Sequence, residues 1–222
     1  MIIYDHPQGS AEWLASRAGV ITASKFVEAR KRLKSGPKKG GFTEAAEDYA
    51  FRVAVERISG APLDEGFSTW AMKRGNELEP EARAWVEVKL GIFVDTAGFV
   101  TTDDEKFGAS ADGFIDKDGG LEIKCLVDPG RIRNVILSDD ISEFMDQIQG
   151  GMWITGRKWW QFALFCPALE KVGLQLYTKR VERDDNYINE MELDLLEFER
   201  VVSKYEQTLR DRGMAEEFKE AA

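Results

Sequence analysis

GASADGFIDKDGGLEIKC, residues 108–125, holds two short runs of partly alternating polarity. Lys117, Asp118 and Gly119, followed by Gly120, separate them, and such a cluster between alternating runs predicts a β-hairpin. Asp112 falls near the start of the first strand. Glu122 and Lys124 are two apart on the second, so both point to one face. Across the hairpin Asp112 can approach Glu122. Two carboxylates converging on one point make an oxygen site for a hard divalent cation, Mg²⁺ or Mn²⁺. A lysine on the same face can position and help deprotonate a metal-bound water, or stabilise developing phosphate charge. Ile123 turns its side chain to the opposite, buried face and keeps its backbone carbonyl as a neutral ligand. The ordinary alternative for Glu122 and Lys124 is a solvated or salt-bridged pair.

Outward from this hairpin, the pattern is helical at both ends. Ser10 caps a short helix over 10–17, and a second helix starts after Thr22 behind another hydroxyl. Residues 43–59 carry apolar side chains at helical spacing up to Gly60. A long helix is expected over 68–90, from Ser68 to Gly91, with a break at Pro80. Strands are expected over 92–101, 107–116, 120–126, 157–166 and 172–181, and helices over 140–155 and 184–212. This order predicts an α/β (α+β) fold with one central mixed β-sheet flanked by helices, and one domain over residues 1–222.

The composition narrows the function. Of 222 residues 43% are hydrophobic, too many for a disordered chain. No apolar run reaches the ~20 residues that span a bilayer, so no membrane association is expected. The start, MIIYDHPQGS, lacks the pattern of a secretory leader. Two cysteines, Cys125 and Cys166, cannot make a disulfide framework or hold an Fe–S cluster, and the single His6 disfavours zinc-hydrolase chemistry. The net charge of −10 argues at first against nucleic acid. It is unevenly spread. Residues 25–39 carry seven bases and one acid, whereas residues 182–222 carry 13 acids and 6 bases. The basic segment, with Arg30, Arg32 and Lys34, is a candidate grip on duplex DNA while the acidic end lies elsewhere. A solvated loop is the plain alternative.

A second acid cluster, GNELEPEAR over 75–83, places Glu79 four residues from Arg83 on a helix. Together, EWLASRAGVITASKF (12–26), GNELEPEAR (75–83), SADG (110–113), LEIKC (121–125) and MDQIQGGMWITG (145–156) resemble, in order, the motifs of the lambda-exonuclease family. These phage-type alkaline exonucleases, the YqaJ-like viral recombinases, have the restriction-endonuclease-like core of the PD-(D/E)XK nuclease superfamily. The usual proline before the first aspartate is Ala111 here.

The resemblance implies Asp112, Glu122 and the Ile123 carbonyl as metal ligands, with Glu79 completing the site and Lys124 orienting the nucleophilic water. It implies two Mg²⁺ ions, with Mn²⁺ as substitute. Arg17, Ser24, Ser110 and Gln149 match a pocket for the 5′-terminal phosphate, Gln149 being preferred to Gln147. Met72 matches an apolar wedge at the terminal base pair. Otherwise Arg17 reads as a surface cation, Ser24 as a helix cap and Met72 as a core side chain. The implied activity is 5′→3′ digestion of one strand of linear double-stranded DNA to mononucleotides by a homotrimeric ring. A single-strand annealing protein would be the partner, in the cytoplasm of a phage-bearing bacterial host. An endonuclease of the same superfamily and a non-catalytic DNA-end binder are the competing readings.

Overall fold

The strand expected over 107–116 breaks at Ala111–Asp112, and that break divides the strands into two sheets rather than the one expected. In the computed structural model, which describes residues 1–63 and 69–220, the run becomes β4 (Phe107–Ser110) and β5 (Gly113–Ile115). The first sheet has the order β1-β3-β4-β2, with β1 (Ile2–Tyr4), β2 (Ile21–Thr22) and β3 (Phe99–Thr101). The second has the order β5-β6-β7-β8, with β6 (Gly119–Lys124), β7 (Trp159–Phe165) and β8 (Leu176–Glu182). Both are mixed, with β2 parallel to β4 and β6 parallel to β7. Asp112 sits at the junction of the sheets.

Seven helices cover them among the described residues. α1 (Ala11–Arg17) starts at Ser10, whose Oγ accepts from Trp13 N. A 3-10 turn over 23–25 leads into α2 (Phe26–Ala29), and Thr22 makes no capping bond there. Thr43 caps α3 (Glu44–Ser59), which Gly60 ends at φ +68°. α4 (Trp70–Leu90) continues through Pro80 without the expected break. Pro80 only lacks the N–H that would meet the Asn76 carbonyl. The start expected at Ser68 lies outside the described residues. α5 (Pro129–Ser138) was not expected, although Asp128 as cap and Pro129 as first residue are helix-start signals. α6 (Met145–Thr155) and α7 (Asp185–Glu220) complete the set. No described helix is long and apolar enough to cross a membrane.

The period of β6 sorts its side chains. Leu121 and Ile123 join Ala82 and Val86 of α4 with Ala163 and Phe165 of β7 in one apolar cluster. Trp160 and Phe162, the β7 partners of Gly120 and Glu122, pack with Ile148 and Met152 of α6. Glu122 and Lys124 therefore point to the α6 side, past the end of that core. A third cluster packs α3 and α7 beside the first sheet, around Val53, Leu195 and Phe198.

The basic and acidic segments meet rather than lie apart. Arg30 pairs with Asp146 of α6 and Asp194 of α7, and Arg32 pairs with Glu197 of α7.

Gly119 and Gly120 leave the room that the Trp159 and Trp160 rings fill. A Cβ at Gly120 would stand 2.4 Å from the Trp160 ring, which is buried. Gly120→Ala should lower the unfolding free energy by about 1–3 kcal/mol. The check is a lower urea midpoint at unchanged slope.

Candidate active site

A cleft of about 450 Å³ opens between the sheets and runs along α4. Asp112, Glu122, Ile123, Lys124 and Glu79 line it, and so do Arg17, Ser24 and Ser110. The two groups of candidate residues thus share one space. The hairpin brings Asp112 beside β6, where Asp112 N donates to the Leu121 carbonyl (3.0 Å) and Asp112 Oδ2 accepts from Ile123 N (2.6 Å). Lys124 Nζ donates to Glu122 Oε1 (2.6 Å) and to Gln147 Oε1 (3.0 Å). Gln147 Nε2 donates back to Glu122 Oε1 (2.7 Å), so one amide spans acid and base. Glu79 is held from its own helix by Arg83 Nη2 (3.0 Å). A second lobe, lined by His6 and Arg83 among others, adjoins at Glu79 and Asp112.

The electrostatics follow from burial. Burial, then Glu122 and Glu79, hold the Asp112 carboxyl well above the usual carboxylate range. Burial also raises Glu122, against the pull of Lys124. Lys124 loses to burial but gains more from Glu122 and Asp112, so its ammonium titrates higher than usual and stays charged at neutral pH. Burial pushes the Cys125 thiol, beside this group, up to about 11.

Whether these groups fit a metal depends on the donor set. Among the described residues no three His, Cys, Asp or Glu side chains gather into a ready-made cage. The cleft instead offers two mutually repelling carboxylates, half-buried Asp112 and buried Glu122, and a main-chain carbonyl, with space for water. That set suits Mg²⁺, which keeps several waters and needs only one or two carboxylates. The bonds described above fall on Oδ2 of Asp112 and Oε1 of Glu122. They leave the other oxygen of each carboxylate to a cation.

On the opposite wall, Arg17 Nη1 donates to Ser110 Oγ (2.9 Å). Its guanidinium lies 4.3 Å from the Trp13 ring centroid and 5.2 Å from that of Phe99. Burial lowers Arg17 to about 10, opposed by Tyr49 and Glu56, so it remains a cation. It is not the surface cation of the plain alternative. Ser24 Oγ meets Thr22 Oγ1 at 3.2 Å.

Three expected contacts lie elsewhere. Gln149 is 1% exposed, and its amide joins the Glu182 carbonyl (3.0 Å) to Asp184 N (3.0 Å). It fastens the end of β8 to the start of α7, and Gln147 is the glutamine that lines the cleft. Arg30 is committed to Asp146 and Asp194. Arg32 bonds Glu197 (2.5 Å) and lies over Phe42 (3.6 Å), so neither arginine offers a free fork to DNA. Lys34 is exposed. The Met72 side chain lies outside the described residues. Trp13 and Arg131, which the sequence does not mark, line the cleft together with Gln147. Gln147 lies one turn before Gly151, on the side of α6 that packs on the second sheet, and no local sequence signal marks that side.

Residues 12–158 match the YqaJ-like viral recombinase domain. The chain belongs to this family. LHK-Exo in complex with dAMP is similar to this YqaJ-like protein at 28% identity and a TM-score of 0.81, over 93% of this chain and 99% of that one. A structure of the alkaline exonuclease LHK-Exo from Laribacter hongkongensis gives 0.78 at the same identity and coverage. A phage-related exonuclease from Haemophilus somnus 129PT shares the fold at 17% identity and a TM-score of 0.65, over 87% and 96%. A search of curated protein sequences returns no match. Family and neighbours together support a nuclease.

Folded Asp112 keeps its proton to higher pH than the unfolded chain does. Its contribution to stability is therefore full below the ordinary value of 3.8 and is lost as pH rises through the raised value. Asp112→Asn removes that loss. Metal-free Asp112→Asn protein should become increasingly more stable than metal-free wild type as pH rises through this window. Thermal unfolding in chelator across pH measures it, and saturating Mg²⁺ should narrow the difference.

Proposed function

We propose that this YqaJ-like protein is a Mg²⁺-dependent 5′→3′ exonuclease. It digests one strand of linear double-stranded DNA from 5′-phosphorylated ends, releases mononucleotides and leaves a 3′ single strand for recombination by annealing. The observation that carries this reading is the sharing of one cleft by the Asp112–Glu122–Lys124 group and the Arg17–Ser110 pair. A half-buried cation in the same cleft as the carboxylates suits a nuclease that measures from a terminal phosphate. LHK-Exo is known in complex with dAMP, the kind of mononucleotide this reaction would release.

Asp112, Glu122 and the Ile123 carbonyl would hold the metal, with Glu79 at its margin. Two Mg²⁺ ions, or Mn²⁺ in their place, would neutralise the scissile phosphate and make a nucleophile of water at neutral pH. Lys124, on the same strand face as Glu122, would orient that water and face phosphate charge. Gln147 fixes the separation of Lys124 and Glu122 by bonding both. Arg17 takes the terminal phosphate with charge-assisted hydrogen bonds, and the Ser24 and Ser110 hydroxyls add donors. Stacking on Trp13 holds the guanidinium plane. Lys34 and its neighbouring lysines would meet the duplex backbone. The reading includes a homotrimeric ring and a single-strand annealing protein as partner, both carried by the family resemblance, in a bacterial cytoplasm.

The test is a time course on linear duplexes with 5′-phosphate or 5′-hydroxyl, labelled at either end, beside closed circular DNA. Label should leave as mononucleotides from 5′-phosphorylated ends only, and circles should survive. Lys124→Ala should reduce the rate at least about a hundredfold, with DNA binding kept. Unchanged digestion by that variant, or cutting of circles, would overturn the reading.

A further inference from the structure

Arg17 is placed by the turn that follows it. The chain leaves α1 through Ala18 and reverses at Gly19, whose φ is +75°. Both polar atoms of Gly19 are held by consecutive residues of α3. Gly19 N donates to Glu56 Oε2 (3.1 Å), and Arg57 Nε donates to the Gly19 carbonyl (2.8 Å). Contact is so close that a Cβ at Gly19 would stand 2.7 Å from Arg57 Cγ and 3.1 Å from its backbone nitrogen. One turn-closing bond, from Val20 N to the Arg17 carbonyl (3.1 Å), ties Arg17 to this grip.

The grip is itself gripped. Arg57 Nη1 and Nη2 donate to the two oxygens of Glu199 on α7 (2.9 and 2.8 Å). Glu199 is 4% exposed and also accepts from Ser203 Oγ (2.9 Å). Glu56 is 7% exposed, and its Oε1 accepts from Arg52 Nε (3.0 Å) and Leu63 N (3.2 Å). A buried set of ions this size is a weak way to gain stability, since apolar packing of like volume does as well. What the fork of Arg57 adds is a fixed direction. That direction ends on the peptide two residues from Arg17.

We propose that the Glu56–Arg57–Glu199 cluster is the positioning device of Arg17, and so sets how strongly the enzyme prefers a phosphate to a hydroxyl at the 5′ end. This rests on the exonuclease reading above. None of the three residues lines the cleft. They act through the Gly19 turn, so what they control is recognition of the terminal phosphate and not the hydrolytic group around Asp112.

The experiment compares kcat/KM on 5′-phosphate and 5′-hydroxyl duplexes for the full-length wild type, Arg57→Lys, Glu199→Gln and Gly120→Ala. The last is a destabilised control whose lesion lies in β6. Arg57→Lys keeps the charge but loses the fork. Its preference for phosphate should fall on the order of ten- to a hundredfold, mostly through a higher KM on the phosphorylated end. Its 5′-hydroxyl rate should stay within about twofold of wild type. Glu199→Gln, which keeps the shape and one acceptor, should lose less. Should Arg57→Lys not fold, Glu199→Gln carries the comparison. Parallel loss on both ends, as expected for Gly120→Ala, would mean a merely structural role and overturn the proposal. So would a preserved preference in both variants. A wild type without preference would overturn the exonuclease pocket itself, whereas a wild-type preference that survives both substitutions overturns only the positioning role.

Discussion

Half-buried Asp112 and buried Glu122 lie within electrostatic reach of each other, and much of the surrounding chain answers that repulsion. Burial alone drives each carboxyl toward its neutral form. The junction between the sheets fixes Asp112 twice, its N donating to the Leu121 carbonyl and its Oδ2 accepting from Ile123 N. Lys124 lies on the same strand face as Glu122 and supplies a counter-charge. α6 brings Gln147 across both. α4 carries Glu79 to the edge of the cleft, already bonded to Arg83. Each of these elements restricts where the negative charge can go, yet the compensation is incomplete, because both carboxyls still titrate above their ordinary range. A residual deficit of this kind is what a divalent cation relieves.

The parts of this site that could be read from sequence are those fixed by short, rigid periods. A strand repeats every two residues, so Glu122 and Lys124 had to share a face and Ile123 had to oppose them. A hairpin needs only a few turn residues, so Asp112 could be set opposite Glu122. The i,i+4 relation made the Glu79–Arg83 pair readable on α4. The choice between Gln147 and Gln149 was not readable. α6 is apolar or close-packed nearly all round, with Gly150 against Phe26 and Gly151 against Trp160, so its pattern defines no outward face. The division into two sheets was hidden for a related reason. Polar and apolar residues keep alternating through Ala111 and Asp112 while the backbone changes sheets. α5 is short, and its Ile132 and Ile136 are interleaved with Arg131 and Arg133, so only its cap announced it.

Long-range ion pairs were the least legible feature. The basic run at 25–39 and the acidic end after residue 182 looked like separate surfaces, one for DNA and one for solvent. Through their arginines they are in part complements. Arg30 meets Asp194, Arg32 meets Glu197, and Arg57 from α3 meets Glu199, all on neighbouring turns of α7. Nothing local in the sequence relates residue 30 to residue 194. α7 therefore serves as a charged brace for α2, α3 and the turn behind Arg17, and its acidity is partly spent inside the fold.

This changes what the net charge of −10 can be used for. Carboxylates neutralised by arginines inside the molecule do not repel a polyanion outside it, and neither do those that face a bound cation. The side chains follow a consistent division. Arginines, whose planar forks suit buried carboxylates and aromatic faces, are used at Arg17, Arg30 and Arg57. Lysines are left outside, at Lys31, Lys34, Lys38 and Lys39. The segment that bears them is not slack, because Leu33 N bonds the Gly41 carbonyl (2.8 Å) and Gly40 N bonds that of Leu33 (2.9 Å). Point charges on a held hairpin suit a partner read by its backbone charge rather than by its sequence. In the proposed reading, recognition that needs direction falls instead to half-buried Arg17, held from α7 through Arg57 and the Gly19 turn.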